Sequence, residues 1–503
     1  MRTLEALLLL ADLLALCSVA LARLRRRHGL SWLPAAPVLL AVAQALVEGP
    51  RGPLLPAYGL AAGLGLVGWW QRKRTAGALA GPNVRHRRAA ALAIAGGALI
   101  WVVAVVLPWA APVFQVPLPT GPHAIGTLTY HWTDASRPEV FATDPGRRRQ
   151  LMAQVWYPAQ ANAAAPRARY LPNADAVMAS FARIHGQPAW VFSQFKYAST
   201  PAIPGAAAAA DPGPHPVLLF LEGATGFRQM NSVQVLHLVS HGYVVVALDQ
   251  PGAAAAVLFP DGHQIDSPPL ARVRAIVGPS YLPGGTQDEV SVIPYLAQDV
   301  AFALDRLAAL NQGDPGQILT GRLDLRRVGI FGVSLGGIVA AEACRLDARL
   351  RACLLMDAPV PTEVARAGLR QPTLWLTRDA ASMRRERQAV GGWPEAEIEA
   401  HQRSMRAAFE RGPGARYLVQ LPGAFHANFT DAPIWTPLAP LLGLTGPIGG
   451  PRAHAIVNAC SLAFFDQHLR GRPARWPIPP AAPAADWLFE ARSLDPVPAA
   501  TAP

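Results

Sequence analysis

The chain has 503 residues, enough for two or more domains. Hydrophobic residues make up 51% of it and charged residues only 16%, which excludes a disordered chain and is more apolar than most soluble enzymes. The formal net charge is +12, and residues 1–110 hold twelve Arg or Lys against three acids, Glu5, Asp12 and Glu48. These arginines cluster between apolar runs, where a membrane protein needs them, so the basicity argues against a nucleic-acid partner.

Four apolar stretches come first, at residues 4–22, 30–47, 54–70 and 89–109. Each approaches the ~20 residues needed to cross ~30 Å of hydrocarbon. Trp69, Trp70, Trp101 and Trp109 lie towards the ends of runs, as interfacial aromatics do. A cluster at Arg23, Arg25, Arg26 and Arg27 follows the first run, and Arg72, Lys73, Arg74, Arg85, Arg87 and Arg88 separate the third from the fourth. The loop between the second and third runs holds only Glu48 and Arg51. The positive-inside rule therefore places both Arg-rich loops in the cytoplasm, and the N-terminus and everything after Trp109 outside. Ala20-Leu21-Ala22 resembles a signal-peptide cleavage site, but the arginines that follow resist translocation, so a four-helix transmembrane bundle is the preferred reading. Asp12 should face the interior of that bundle. The four cysteines, Cys17, Cys344, Cys353 and Cys460, suggest neither a disulfide framework nor a metal site, and read as small buried hydrophobes.

Residues 111–125 are rich in Pro and Gly and read as a linker. After them, strand-like runs at residues 154–157, 217–221, 243–248, 328–331, 352–356, 373–377 and 417–421 alternate with helical patterns at 229–240, 293–310, 337–346 and 395–411. Such alternation predicts an α/β fold, a mostly parallel sheet with helices on both faces, over residues 126–475. The Pro- and Ala-rich tail, 476–503, is expected to be peripheral.

The segment Val328-Gly329-Ile330-Phe331-Gly332-Val333-Ser334-Leu335-Gly336-Gly337 reads as strand, Gly-x-Ser-x-Gly turn, then helix. That context is the nucleophile elbow, which holds a serine hydroxyl exposed on a strained turn while small residues let strand and helix approach. A serine nucleophile needs a base, and the base needs an orienting acid. Downstream lie His401, His426, His454 and His468. His401 sits in a charged helical pattern and reads as solvated, and His454 and His468 fall in a C-terminal helix. His426 hangs in a loop just after a strand, where a catalytic histidine belongs. Two acids compete for the third role: Asp357 follows the strand at 352–356, and Asp379 follows the strand at 373–377. The oxyanion hole should draw one N–H from Leu335 and another from the loop Glu222-Gly223-Ala224-Thr225-Gly226-Phe227-Arg228, with Ala224 the candidate.

The soluble part resembles the plasma-type platelet-activating-factor acetylhydrolase family, a branch of the α/β-hydrolases. The matching pieces run from Thr120-Gly121-Pro122-His123 through Val155-Trp156-Tyr157-Pro158, the Gly223–Arg228 loop, Ser240-His241-Gly242-Tyr243 and Gly332–Gly337. They continue through Leu355-Met356-Asp357-Ala358 and Gly423–Phe429 to Phe464-Phe465-Asp466-Gln467-His468. The resemblance implies the triad Ser334, Asp357, His426, with Ala224 and Leu335 as backbone oxyanion donors, and it favours Asp357 over Asp379. Two departures stand out: Val333 and Glu222 occupy positions where that family usually has His, and both should change the polarity of the site.

The expectation is therefore a membrane-tethered serine carboxylic ester hydrolase, facing outside, without metal or cofactor. Its partners would be short-acyl esters or phospholipids and membrane lipid. A catalytically dead hydrolase fold and a long-chain lipase are the alternatives. The segment 383–414 is charged and shows no broad apolar face, which argues against a lipase lid.

Overall fold

A computed structural model describes residues 1–25, 35–74, 84–142, 144, 146–211, 213–278, 291–476 and 487–492. Arg26, Arg27, the expected start of the second helix at residue 30 and most of the tail lie outside the described residues. The chain divides into two compact units, one of residues 1–114, 187–197 and 435–437 and the other of the remainder.

The first unit contains α1 (Thr3–Arg25), α2 (Ala36–Val47), α3 (Leu55–Arg74) and α4 (Val84–Ala110). Leu- and Ala-rich sequence favours helix, and small residues let the helices approach. Leu8 and Leu9 of α1 pack with Ala57 and Ala61 of α3 and Ala104 of α4. A second cluster joins Ala15, Leu16 and Val19 to Leu60 and Leu64. Two segments are long and apolar enough to cross a membrane, Thr3–Leu21 within α1 and Arg88–Ala110 within α4. Four spans were expected; among the described residues two helices, not four, have the length and composition for one. The 12 described residues of α2 rise only about 18 Å at 1.5 Å each. Leu39, Leu46, Leu66, Leu92 and Leu99 are each at least 66% exposed, an outward apolar face that water disfavours. Asp12 is buried, and neither carboxylate oxygen has a partner among the described residues. Glu48 and Arg51, the sparse charges of the second loop, are engaged: Arg51 forks onto Glu5 at 2.6 and 2.7 Å, and Glu48 accepts from the N–H of Leu4. The two later segments join the same unit, Tyr197 donating to the carbonyl of Pro50 at 2.6 Å and Thr436 to that of Ala110 at 2.5 Å.

The second unit runs β1 (Ala124–Pro138), β2 (Arg148–Ala159), α5 (Ala174–Ile184), β3 (Ile203–Pro204), β4 (His215–Leu221), α6 (Ser232–Ser240) and β5 (Val244–Asp249). A small hairpin, β6 (Ala256–Leu258) with β7 (Gln264–Asp266), leads to α7 (Leu270–Val277), α8 (Ile293–Gln312), β8 (Leu323–Val333), α9 (Leu335–Leu346) and β9 (Leu350–Met356). Then follow α10 (Thr362–Ala367), β10 (Thr373–Thr377), α11 (Ala380–Val390), α12 (Glu395–Arg411), β11 (Arg416–Gln420), α13 (Gly450–Arg470) and β12 (Leu488–Arg492). Ten strands form one mixed sheet in the order β12-β11-β10-β9-β8-β4-β5-β2-β1-β3. The run from β11 to β5 is parallel, and β12 and β2 pair antiparallel at its two ends.

Over residues 217–221, 244–248, 328–333 and 352–356 the central strands are apolar because helices cover both faces. Val217, Leu219 and Leu221 share a core with Leu296 and Val300 of α8 and with Ile338 and Val339 of α9. On the other face α13 comes so close that Gly329 has no room for a side chain. A Cβ there would lie 2.8 Å from both Leu218 and Phe465. The expected linker is shorter than read, since β1 begins at Ala124. Part of the expected peripheral tail is β12, an edge strand on β11. The cysteine reading also needs correction, because Cys344 at the end of α9 and Cys353 in β9 form a disulfide. The helix-to-strand return brings their Cα atoms to 6.7 Å, which a spacing of nine residues does not reveal. Cys460 is free and buried, whereas Cys17 is exposed.

Candidate active site

All candidate residues come to one edge of the sheet, the C-terminal ends of β4, β8 and β9 and the loop after β11. In an open parallel sheet this is the edge where loops converge on a ligand. Ser334 stands between the last residue of β8 and the first of α9, at φ 55° and ψ −122°. An L residue adopts positive φ only at a cost of order 1–3 kcal/mol, and such strain collects at functional sites. Four described non-glycine residues have positive φ, and three of them, Thr225, Ser334 and Asp357, belong to this site. The turn closes because its glycines touch backbone: a Cβ on Gly332 would collide with Gly336, and one on Gly336 with the carbonyls of Leu221 and Glu222. Between Val328 and Cys344 every residue except Ser334 is buried.

Asp357 is fully buried directly after β9, and its N–H is held by the carbonyl of Leu376 at 2.8 Å. Its Oδ2 receives the Nδ1 of His426, and its Oδ1 accepts from the Thr377 hydroxyl at 3.2 Å. Burial pushes the Asp357 carboxyl up, but the Arg378 guanidinium and the hydrogen bond and charge of His426 outweigh it and hold the group well below the usual carboxylate range. His426 opens a short 3-10 turn, His426–Phe429, with its side chain 27% exposed. With Nδ1 occupied by Asp357, Nε2 is the ring nitrogen left for proton transfer. Asp379 has a different role: it caps α11, accepting from the N–H of Ser382 at 3.2 Å. The structure thus brings Asp357, and not Asp379, to His426.

The neighbours of this pair escaped the sequence reading. His401 was expected on a solvated helix face, yet it is fully buried, with Nε2 3.4 Å from the Thr377 hydroxyl. Burial pushes its imidazole down to about 4, leaving it neutral. The signal was available, since Ile398, His401, Met405 and Ala408 form an i, i+3, i+7, i+10 stripe inside the charged pattern of α12. Arg378, directly after β10, has its Nε 2.8 Å from Asp357 Oδ2 and pairs with Glu386 of α11. Glu386 accepts the backbone N–H of His426. The ring of Trp393 lies 5.6 Å from that of His426. His454 lies within α13, bonded to the carbonyl of Thr430 at 2.8 Å, and His468 near the end of the same helix contacts Tyr417.

The loop after β4 faces the serine. A Cβ on Gly223 would sit 3.2 Å from Ser334 Cβ. Thr225 N–H is taken by Ala253 and Gly226 N–H by Gly223, whereas among the described residues the amides of Gly223 and Ala224 have no such backbone acceptor. Leu335 begins α9, so its N–H has no acceptor within the helix. The two departures, Glu222 and Val333, are each 1% exposed, so they underlie the site and do not present new polarity on its surface. Burial and the neighbouring Asp249 push the Glu222 carboxyl well above its usual range, while Asp249 is ion-paired with Arg228. Among the described residues no group of three or more His, Cys, Asp or Glu is placed to hold a metal.

The family model for platelet-activating factor acetylhydrolase, isoform II, matches residues 110–269 and 296–476. Among individual proteins, a platelet-activating factor acetylhydrolase of Cavia porcellus is 24% identical over 272 residues, covering 51% of this chain and 58% of that protein. The Gallus gallus protein of the same description is 22% identical over 286 residues, covering 52% and 64%. The matches therefore span less than two thirds of these relatives' own lengths. Among solved structures, a ferulic acid esterase from Streptomyces cinnamoneus is 28% identical and superposes with a TM-score of 0.58, covering 75% of this chain and 99% of that one. The mixed sheet accordingly has an α/β-hydrolase-like fold. With the family model accounting for well over half of its residues, the chain belongs to the platelet-activating factor acetylhydrolase isoform II family.

Proposed function

We propose that the chain is a serine carboxylic ester hydrolase with the triad Ser334, His426 and Asp357. The observation that carries the reading is a strained serine on a strand-to-helix turn and a buried Asp357 paired with His426 at the same sheet edge. His426 Nε2 takes the proton as Ser334 Oγ attacks the ester carbonyl, and Asp357 holds the imidazole in the tautomer that allows this. The N–H groups of Ala224 and Leu335 stabilise the oxyanion. The imidazolium then protonates the leaving alkoxide, and a water activated by the same base releases the acyl group from Ser334.

The substrate class is an ester with a short acyl group, free or on a phospholipid. The curated relatives point there, being named for acetyl removal. So does α12, whose apolar stripe is already buried in the core and is not free to act as a lid. The helices of the first unit would tether the enzyme, with both Arg-rich loops in the cytoplasm and the hydrolase outside. The Cys344–Cys353 disulfide supports an oxidising compartment. The test is a panel of 4-nitrophenyl esters, below their micelle-forming concentrations, on the full chain. The proposal expects kcat/KM to fall from acetyl or butyryl to palmitoyl, and a maximum at palmitoyl would favour a lipase.

A further inference from the structure

We propose that Arg378 and Glu386 are positioning residues for the general base. Arg378 would fix the carboxylate that orients the His426 ring, and Glu386 would fix the His426 backbone. The proposal rests on the triad assigned above and extends it. Four groups form a closed circuit. The His426 ring meets Asp357 through Nδ1, and Asp357 Oδ2 lies 2.8 Å from Arg378 Nε. Arg378 Nη1 donates to Glu386 Oε2, and both oxygens of Glu386 lie 3.2 Å from the backbone nitrogen of His426. The histidine is thus held at two points, ring and main chain, and Arg378 joins the two anchors. The anchors come from different elements, the end of β9 and α11, and Arg378 from the end of β10, so the circuit also sets where the loop after β11 meets the sheet.

Packing alone does not call for these residues. Arg378 is fully buried, and a buried ion pair generally contributes no more stability than apolar side chains of the same size. What the guanidinium supplies is charge. Asp357 and Glu386 both lie against His426, and two carboxylates sharing one buried site drive one another towards protonation. A cation between them keeps Asp357 ionised as His426 gains a proton. Asp357 also faces Thr377 on β10 and His401 on α12, and burial keeps that imidazole neutral, so Arg378 is the fixed positive charge at the carboxylate. Trp393 covers the arrangement, its ring 6.0 Å from the Arg378 guanidinium.

The test uses the full chain and 4-nitrophenyl butyrate. Arg378→Met should lower kcat about 100-fold, the scale of a small misplacement in an active site, with KM little changed. The acid limb of the kcat/KM profile should move to higher pH, because the positive charge 2.8 Å from Asp357 Oδ2 is gone. Arg378→Lys should restore part of both. If Arg378→Met does not fold, the double variant Arg378→Met with Glu386→Gln removes one charge of each sign and keeps an acceptor for the His426 N–H. It should show the same loss of kcat, with an acid-limb shift in the same direction but smaller, since losing the Glu386 charge opposes the loss of the guanidinium. A double-mutant cycle separates this proposal from the triad. In an Asp357→Asn background, Arg378→Met should cost almost nothing further. Multiplicative losses, or a wild-type acid limb in Arg378→Met, would overturn the positioning role and leave the triad standing. Full activity in Asp357→Asn alone would sink the triad first, and the proposal with it.

Discussion

Replacing Asp357 by Asn changes one atom at the centre of the account. The side chain keeps its shape, and its Oδ1 can still accept from the Thr377 hydroxyl, 3.2 Å away. At the Oδ2 position an NH2 group would face two donors, the Nδ1 of His426 and the Nε of Arg378, the latter at 2.8 Å. A donor cannot hold the Nδ1–H tautomer, so Nε2 would carry the proton and could not accept one from Ser334. Loss of the orienting carboxylate costs roughly 10⁴ in kcat where this has been seen, which is about 5.5 kcal/mol of transition-state stabilisation. Arg378 would keep Glu386 as a partner, so the cost to folding should fall at or below the low end of the usual range for breaking a buried pair, about 3 kcal/mol. Asp379→Asn is the matched control. Asn caps helices about as well as Asp, and kcat should stay within about twofold. The assay is initial-rate hydrolysis of 4-nitrophenyl butyrate with thermal melts on the same samples. A loss under about tenfold for Asp357→Asn, or a larger loss for Asp379→Asn, would refute the reasoning.

Three further outcomes are expected. Gly223→Ala places a methyl 3.2 Å from Ser334 Cβ and 3.4 Å from the carbonyl of Val333, so the loop after β4 must shift. Its kcat should drop about 10- to 100-fold while melts change little, and wild-type kcat would show that this loop is not the oxyanion loop. Asp431 accepts from the N–H groups of Ser232 and Val233 at the start of α6, and burial pushes its carboxyl up to about 8. The folded chain therefore keeps this proton to higher pH than the unfolded chain, and stability from this group falls as pH rises from about 4 to about 8. Asp431→Asn should lose less stability than wild type between pH 5 and pH 8, by up to about 4 kcal/mol, and parallel pH curves would contradict this. For topology, cysteines at Pro50 and at the exposed Leu118 should react with an impermeant thiol reagent on intact cells lacking Cys17, whereas one at Gly77 should not. Reaction at Gly77 alone would put the hydrolase in the cytoplasm.

Much of this site was legible because its chemistry requires local sequence. The turn around Ser334 needs glycines where strand meets helix, and that pattern survives in one dimension. Strands β4, β9 and β10 were readable because central parallel strands, covered on both faces, run mostly apolar. The tertiary partners were not. Arg378 and Glu386 look like solvated charges in a polar stretch, and the fold alone buries both against Asp357 and His426. The weight of acidic and basic neighbours on α12 hid the burial of His401, although its stripe was present. Five residues of β12 sit in a tail whose composition argues for no structure, and only pairing with β11 makes them a strand. The membrane reading rested on apolar runs, of which the described helices bear out two as long enough to span. Nothing in the spacing of Cys344 and Cys353 marks them as a pair, because that contact depends on how α9 returns to β9.

The central claim is that Ser334 is the nucleophile, and covalent capture tests it most directly. The full chain is treated with a fluorophosphonate, and the modified peptide is located by mass spectrometry. The account predicts one adduct, on Ser334, that is absent from Ser334→Ala, together with a loss of about 10⁶ in ester turnover. An adduct on another residue, or turnover by Ser334→Ala near the wild-type rate, would contradict it.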